Sequence, residues 1–367
     1  MRFDSMLIVL TEECHVGCQH CGYIGSKRER EIDSSELESW IEQIIGYGFP
    51  EIIFTGGEAF ERYELLACGV KRTRDCGARC SVFTSSYWAT SFDQAKEVLQ
   101  GLNGLTHIYL STDIYHQKRV PIENVRHAID AAIELGIPRI NLNITYANDA
   151  DRVFIASQYA NYGKRVEIYA ERVIPNPNFS VRLLAAQDPL SGLAPGNYAS
   201  SCWLGTPLVD PNGDLFACHL GKMAAHTDPT RVPYFLGNLR KTEFRQIMMR
   251  SGARPDYQYL RTHGPRGVAE MAQANQELLK VLPRREFTTA CDMCMGVLTS
   301  PGAPHALSDY AAARTEEIDL RLVLSLGESP AFLAVPDSSA REVSEQAKEI
   351  KHADPEQEHV RLSVPHI

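Results

Sequence analysis

The chain predicts an α/β fold built on a parallel sheet, and three observations carry that expectation. From residue 6 to about 175, short β-rich runs alternate with helical patterns. Strand–helix alternation at this spacing is the mark of βαβ units, whose strands run parallel. The 367 residues are 44% apolar, enough for a sizeable core in one large domain plus a smaller one. Beyond about 175 the alternation fades, and the segments there read as a separate extension.

In order, strands are expected at 6–10, 51–55, 80–84, 107–111, 139–145 and 166–169, and helices at 34–46, 63–71, 92–101, 122–136 and 151–162. Ser34 or Ser35 caps the first helix, with Glu38 close to capping-box spacing. Six such strands make either a partial (β/α) barrel or an open doubly wound sheet, and in both the ligands sit beyond the C-terminal strand ends. Pro175-Asn176-Pro177-Asn178 and Pro195-Gly196-Asn197 read as breaks. The run from Leu208 to Cys218 reads as a β-hairpin turning at Asn212-Gly213. Helical patterns follow at 242–251 and 267–282, then a short helix near 339–351 in a charged, proline-rich tail.

Charge excludes some functions. The 37 basic and 46 acidic residues give a net −9, and no basic patch suits a phosphate backbone, so no nucleic-acid partner is expected. The alternating run Ser26-Lys27-Arg28-Glu29-Arg30-Glu31 reads as a solvated loop. No apolar stretch approaches the ~18 residues of a membrane span. The N-terminus lacks a signal-peptide cleavage pattern, so a cytoplasmic location without membrane contact is expected. Ten cysteines in such a chain point to metal or redox chemistry rather than disulfides.

The cysteines are not scattered. Cys14, Cys18 and Cys21 stand as C-x3-C-x2-C in the loop after the first strand, where a ligand site belongs. Three thiolates are one fewer than a tetrahedral zinc or a fully ligated iron–sulfur cluster needs. The simpler alternatives are a cysteine-rich loop or a zinc site completed elsewhere. Behind them comes Phe54-Thr55-Gly56-Gly57-Glu58, directly after the second strand. Its glycines let backbone approach a ligand closely, and its carboxylate can accept from an ammonium group.

The spacing and order of these motifs resemble the radical S-adenosylmethionine (radical SAM) superfamily. The resemblance chooses the partial (β/α)6 barrel. It implies a 4Fe–4S cluster on Cys14, Cys18 and Cys21, with SAM on the fourth iron. It implies that Gly56, Gly57 and Glu58 hold the amino group of SAM, Ala59 standing where proline is common. His20, in place of the usual aromatic residue, would lie near the adenine. Ser111 and Asp113, in Ser111-Thr112-Asp113 at the fourth strand's end, would meet the ribose. Thr84-Ser85-Ser86, Asn143 and Arg172 are further candidates, Arg172 for a carboxylate. Tyr115 and His116 are substrate-facing candidates.

A second group follows. Cys202 and Cys218 bracket the hairpin, and Cys291-Asp292-Met293-Cys294 supplies C-x2-C. With Gly237-Asn238-Leu239, this resembles the SPASM and twitch extensions of the same superfamily, and no cysteine follows Cys294. One auxiliary 4Fe–4S cluster with four protein ligands is implied, as in the twitch type. A zinc ribbon would use the same four thiolates. Cys68, Cys76 and Cys80 match no metal spacing and are expected to be structural. The expected division is a core at 1–175, a linker at 176–200, an auxiliary-cluster domain at 201–300, and a helix and tail at 301–367.

The implied activity is reductive cleavage of SAM to a 5′-deoxyadenosyl radical, which abstracts hydrogen from a substrate C–H. With an auxiliary cluster to accept the second electron, the net result is oxidation or bond formation. Maturation of a ribosomally made peptide leads, and dehydrogenation of a small molecule in natural-product biosynthesis follows. A zinc- or iron-binding regulator without turnover explains seven cysteines but not the Gly-Gly-Glu turn. Expected partners are the peptide or small-molecule substrate, an electron donor such as flavodoxin or ferredoxin, and a separate leader-binding protein.

Overall fold

The computed structural model describes residues 4–18, 20–21, 30–174, 192–199, 202, 206–219, 221, 230, 232–282 and 284–327. Six strands, β1 (Met6–Val9), β2 (Glu51–Thr55), β3 (Arg79–Thr84), β4 (His107–Ser111), β5 (Arg139–Tyr146) and β6 (Glu167–Arg172), alternate with helices α1 (Ser34–Tyr47), α2 (Tyr63–Asp75), α3 (Phe92–Gln100), α4 (Ile122–Glu134) and α5 (Asp149–Ser157). Adjacent strands pair parallel in unbroken sequence order. A doubly wound sheet reverses its order at a switch point. Here none occurs among the six, so every crossover steps the same way and the helices cover one face. That is the partial-barrel arrangement and leaves the inner face free for a site.

Apolar side chains on the outer face form the main core. Met6 and Ile8 of β1, Ile52 and Phe54 of β2, Val82, Ile108 and Leu142 meet Leu37, Trp40, Ile41 and Ile44 of α1 and their counterparts on α2 to α4. Each such side chain contributes roughly 1.5–3 kcal/mol by leaving water. The alternate, inward positions are more polar: Ser81, Tyr109, Ser111, Asn141, Asn143 and Glu171. Cys80 is in the core, its thiol pushed up by burial. Cys68 donates to Glu38 Oε1 at 3.1 Å.

Three local expectations change. Asp33, not Ser34 or Ser35, caps α1, accepting from Glu36 N at 2.8 Å. Asp33 has the extended backbone an N-cap needs, with φ −87° and ψ 165°, while Ser34 and Ser35 already lie inside the helix. Asn148 caps α5, which begins at Asp149 and stops at Ser157, and a 3₁₀ turn over Ala160–Arg165 follows, with Gly163 at φ +57°. The pattern at 267–282 belongs to two helices. One starts at Pro255, breaks at Gly264 (φ +53°) before Pro265, and ends at Ala274. The other is Gln276–Val281.

The hairpin forms as expected. β7 (Leu208–Val209) and β8 (Asp214–Phe216) pair antiparallel, and β9 (Phe235–Asn238) pairs with β8. The Asp210 carboxylate accepts from Asn212 N and Asp214 N at 2.9 and 3.0 Å, and Gly213 sits at φ +82°. β7 also pairs parallel with β1, so one nine-stranded sheet runs β6-β5-β4-β3-β2-β1-β7-β8-β9. Arg240 clamps the join, meeting Glu36 through Nε and Nη2 at 2.7 and 2.9 Å. Helices α6 (Phe244–Gly252), α7 (Pro255–Ala274), α8 (Gln276–Val281), α9 (Ala290–Leu298) and α10 (Ala303–Ala312) complete the unit that ends at Thr315. α11 (Thr315–Gly327) lies almost wholly in a second unit, with Glu316 and Glu317 in its first turn, where a helix dipole favours acidic groups. The expected helix at 339–351 falls outside the described residues. No described helix is long and apolar enough to cross a membrane.

Candidate active site

β1 stops at Val9, and the chain then runs antiparallel to nothing: its Thr11–Glu13 backbone instead lies against the turn after β2. Gly57 N donates to Thr11 O at 2.7 Å, and Glu58 N donates to Glu13 O at 2.8 Å. The approach is close enough that a Cβ on Gly57 would stand 2.4 Å from Glu13 O. Only glycine permits this contact. It fixes where the cysteine loop begins. Within the loop Gly17 takes φ +62°, and Cys21 N donates to Cys18 O at 3.1 Å.

One cavity of about 260 Å³ opens above these strand ends. Cys14, Cys18, Cys21 and His20 line it from the loop, Gly56, Gly57 and Glu58 from the turn, and Ser111, His116, Asn143 and Arg172 from later strand ends. Thr84 and Ser85 also face it. Thus thirteen residues singled out in the sequence meet here, drawn from six strand ends. Asp113 and Tyr115 do not line the cavity. They are buried behind it, Tyr115 packed on His20 with ring centroids 4.8 Å apart.

Asp113 is fully engaged. Its Oδ1 accepts from Tyr115 N and His116 N at 2.8 and 2.9 Å, and its Oδ2 meets His116 Nδ1 at 2.7 Å. Burial pulls the His116 imidazole toward neutrality, but the Asp113 charge and a hydrogen bond with Cys18 override it and hold its pKa well above the usual value. Burial acts in the opposite sense on Asp113, and the His116 cation again wins, lowering its carboxyl. The chain Asp113–His116–Cys18 therefore places a cation against one thiol. His20, 3.7 Å from Asp113 Oδ2, is instead lowered to about 4, chiefly by burial.

Glu58 serves the fold as well as the cavity. Its Oε2 accepts from Ser85 N and Oγ at 2.8 and 2.6 Å, and Oε1 from Phe60 N at 3.3 Å. Burial raises its carboxyl against these bonds. Asn143 Oδ1 is a buried acceptor without a hydrogen-bond partner among the described residues. Burial raises the Cys14 thiol, while the N–H groups of Gly17 and Val16 favour its thiolate. Three thiols on one loop, with backbone N–H donors and an imidazolium beside them, suit a cationic cluster that draws off their protons.

Strand periodicity delivers residues that motif reading missed: Thr55, Phe83, Thr145 and Glu171 line the cavity, joined by Ile174 and His219. The signal was present, since polar residues recur at every second position of β5 (Asn141, Asn143, Thr145). Burial raises the Glu171 carboxyl.

The second cysteine group also converges. Cys202, Cys218 and Cys291 all act electrostatically on Cys294, and burial raises both Cys291 and Cys294. Cys291 and Cys294 sit three residues apart on α9, whose N-cap Thr289 accepts from Asp292 N at 3.0 Å. Buried Asp292 anchors that helix, accepting from Thr288 N at 2.9 Å and from Arg284 Nη1 at 2.8 Å. The two sites adjoin. Glu171 lines the cavity and acts on the charge of Cys291, and His219 lines the cavity directly after Cys218.

Residues 8–153 match the model of the Radical SAM superfamily, and the chain carries a radical SAM domain there. Among curated proteins, a GTP 3′,8-cyclase of Listeria welshimeri serovar 6b is 27% identical over 158 residues, 38% of this chain and 45% of that protein. An Fe-coproporphyrin III synthase of Methanosarcina barkeri is 28% identical over 129 residues, 34% of this chain and 31% of the relative. These matches span less than half of either relative. A solved structure of anSMEcpe with bound AdoMet and a Cp18Cys peptide aligns over 87% of this chain and 99% of its own, at 14% identity and a TM-score of 0.49. SuiB of Streptococcus suis bound to S-adenosylmethionine aligns over 80% and 72%, at 11% identity and a TM-score of 0.42.

Proposed function

We propose that this chain is a radical SAM oxidoreductase with two 4Fe–4S clusters, acting in maturation of a ribosomally made peptide. The observation that carries the reading is the meeting of three loop thiols and the Gly-Gly-Glu turn on one cavity, with four further cysteines that act on one another and connect to it through Glu171 and His219. Cys14, Cys18 and Cys21 would hold the first cluster, and Cys202, Cys218, Cys291 and Cys294 the second. When bound, the first cluster with SAM supplies a 5′-deoxyadenosyl radical able to take hydrogen from an unactivated C–H.

The protein's own part is positioning and exclusion of water. Gly56 and Gly57 let backbone approach the nucleotide, and Glu58 offers its carboxylate to the amino group. Ser111 and the buried Asn143 Oδ1 supply polar contacts, and Arg172 a cation for a carboxylate. Asp113 acts through His116 and His20 rather than on the cavity. Glu171, its carboxyl raised by burial, holds its proton to higher pH than an ordinary carboxylic acid. The link between cavity and second site through Glu171 and His219 supports that cluster as acceptor of the second electron. A flavodoxin or ferredoxin would supply the first.

Among the described residues β6 pairs only with β5, and its end carries Glu171 and Arg172 into the cavity. An extended peptide adding to that edge would bring one side chain to the site, which supports the peptide reading. The cavity volume of about 260 Å³, at the small end for ligand sites, favours a second reading: dehydrogenation of a small molecule. Anaerobic reconstitution tests the class. About eight irons per chain and reductive release of 5′-deoxyadenosine from SAM are expected. Stoichiometric zinc without SAM cleavage would overturn the proposal in favour of a regulator.

A further inference from the structure

Tyr234 is 3% exposed, yet its hydroxyl has no hydrogen-bond partner in the described structure. A buried O–H left unmade costs about 1–3 kcal/mol, and phenylalanine would fill the same space without that cost. The main chain fixes its place. Tyr234 O accepts from Ala217 N at 2.7 Å, one residue before Cys218. The base of its side chain also lies so close to Gly221 that a Cβ there would stand 2.6 Å from Tyr234 Cβ. After burial, the charges that raise its phenol are those of Cys294, Cys218, Cys291 and Cys202. All four members of the second cysteine group therefore lie within electrostatic reach of this one hydroxyl.

We propose that the Tyr234 hydroxyl donates a hydrogen bond to the sulfur shell of the cluster held by Cys202, Cys218, Cys291 and Cys294, and so raises that cluster's reduction potential. This rests on the two-cluster reading above and deepens it. Among electron-rich sulfurs the phenol acts as donor, since its O–H carries a proton and a cluster sulfur carries none. Reduction adds negative charge to the cluster, so a hydrogen bond to its sulfur stabilises the reduced form more than the oxidised one. A raised potential makes the second cluster a better electron acceptor than it would be without the hydroxyl. It gives the site a direction of flow, from the substrate cavity outward past Glu171 and Cys291.

The test is a redox titration of the full-length, anaerobically reconstituted chain and its Y234F variant, with each cluster followed by its paramagnetic resonance signal. Y234F is expected to lower the second cluster's potential by about tenfold in the reduction equilibrium, ~59 mV for one electron. The first cluster and the iron content stay unchanged. Full iron with an unmoved second potential would overturn the proposal. A wild-type chain that holds a single cluster, or zinc at the second site, would sink the two-cluster reading itself and this inference with it. If Y234F fails to load, wild type in deuterated water decides. An exchangeable deuteron coupled to the second cluster supports the hydroxyl donor, and its absence refutes it.

Discussion

Substituting alanine for Gly57 tests how the cysteine loop is held. The added Cβ would lie 2.4 Å from Glu13 O and 2.5 Å from Glu12 O, both backbone atoms with no flexible end to swing away. Ordinary contact begins near 3.4 Å, so the two backbones must part by 3.4 − 2.4 = 1.0 Å. The bonds Gly57 N to Thr11 O (2.7 Å) and Glu58 N to Glu13 O (2.8 Å) cross that same gap. Stretched by that amount, both pass beyond hydrogen-bond reach. Two backbone bonds lost at about 0.5–1.5 kcal/mol each, with about 1–3 kcal/mol of residual overpacking, give roughly 2–6 kcal/mol. That is a large share of the ~5–15 kcal/mol that holds a typical domain together. Thermal unfolding of three variants supplies the assay. G57A should melt lowest. G56A, whose Cβ would meet Thr11 O at 2.8 Å, should be intermediate. G46A, in α1 with nothing within 4 Å, should match or exceed wild type by about 0.5–1 kcal/mol. G57A should also fail to load the first cluster. Wild-type melting and full iron in G57A would refute the contact's role.

Other outcomes follow from the same geometry. Alanine at Cys14, Cys18 and Cys21 should abolish SAM cleavage and leave the second cluster's spectrum, whereas loss of both clusters would contradict independent sites. Asp292→Ala leaves the Arg284 cation and Thr288 N without their buried acceptor, so ~2–3 kcal/mol of stability should go. A chelator should then strip the second cluster faster than the first, and equal rates would contradict the anchoring of α9. His107 is buried, its Nε2 2.8 Å from Asn141 Oδ1, and burial lowers its pKa from 6.5 to about 4. The unfolded chain therefore binds more protons between those values, and stability falls as pH drops from about 6.5 toward 4. The share from His107 is ~3 kcal/mol across that window, at most ~1.4 kcal/mol per pH unit. Urea denaturation of His107→Gln should show that much less acid sensitivity, and an unchanged slope would count against it.

The barrel strands were legible wherever both strand faces are apolar or the boundaries are punctuated. β2 spans 51–55 as expected because Ile52, Ile53 and Phe54 stand between Pro50 and Gly56. β6 was read short, as 166–169, yet runs Glu167–Arg172. Its last residues, Glu171 and Arg172, are charged and line the cavity, so the strand's C-terminal end breaks the apolar pattern. Asp33 and Asn148 were overlooked as caps because the helical periodicity begins after them.

The sequence by itself determined the chemistry on offer: thiol spacing, the Gly-Gly-Glu turn and parallel strand–helix alternation are local patterns, set by neighbours in the chain. Only the tertiary structure decided which distant residues share a space. It set the sheet order that rules out a switch point, moved Asp113 behind the cavity, and brought Glu171 and His219 into it. It also brought Tyr234 within electrostatic reach of four cysteines spread over 93 positions, 202 to 294. The physical reason is that pairing register and core burial fix those meetings, and both depend on contacts across the whole fold rather than along the chain.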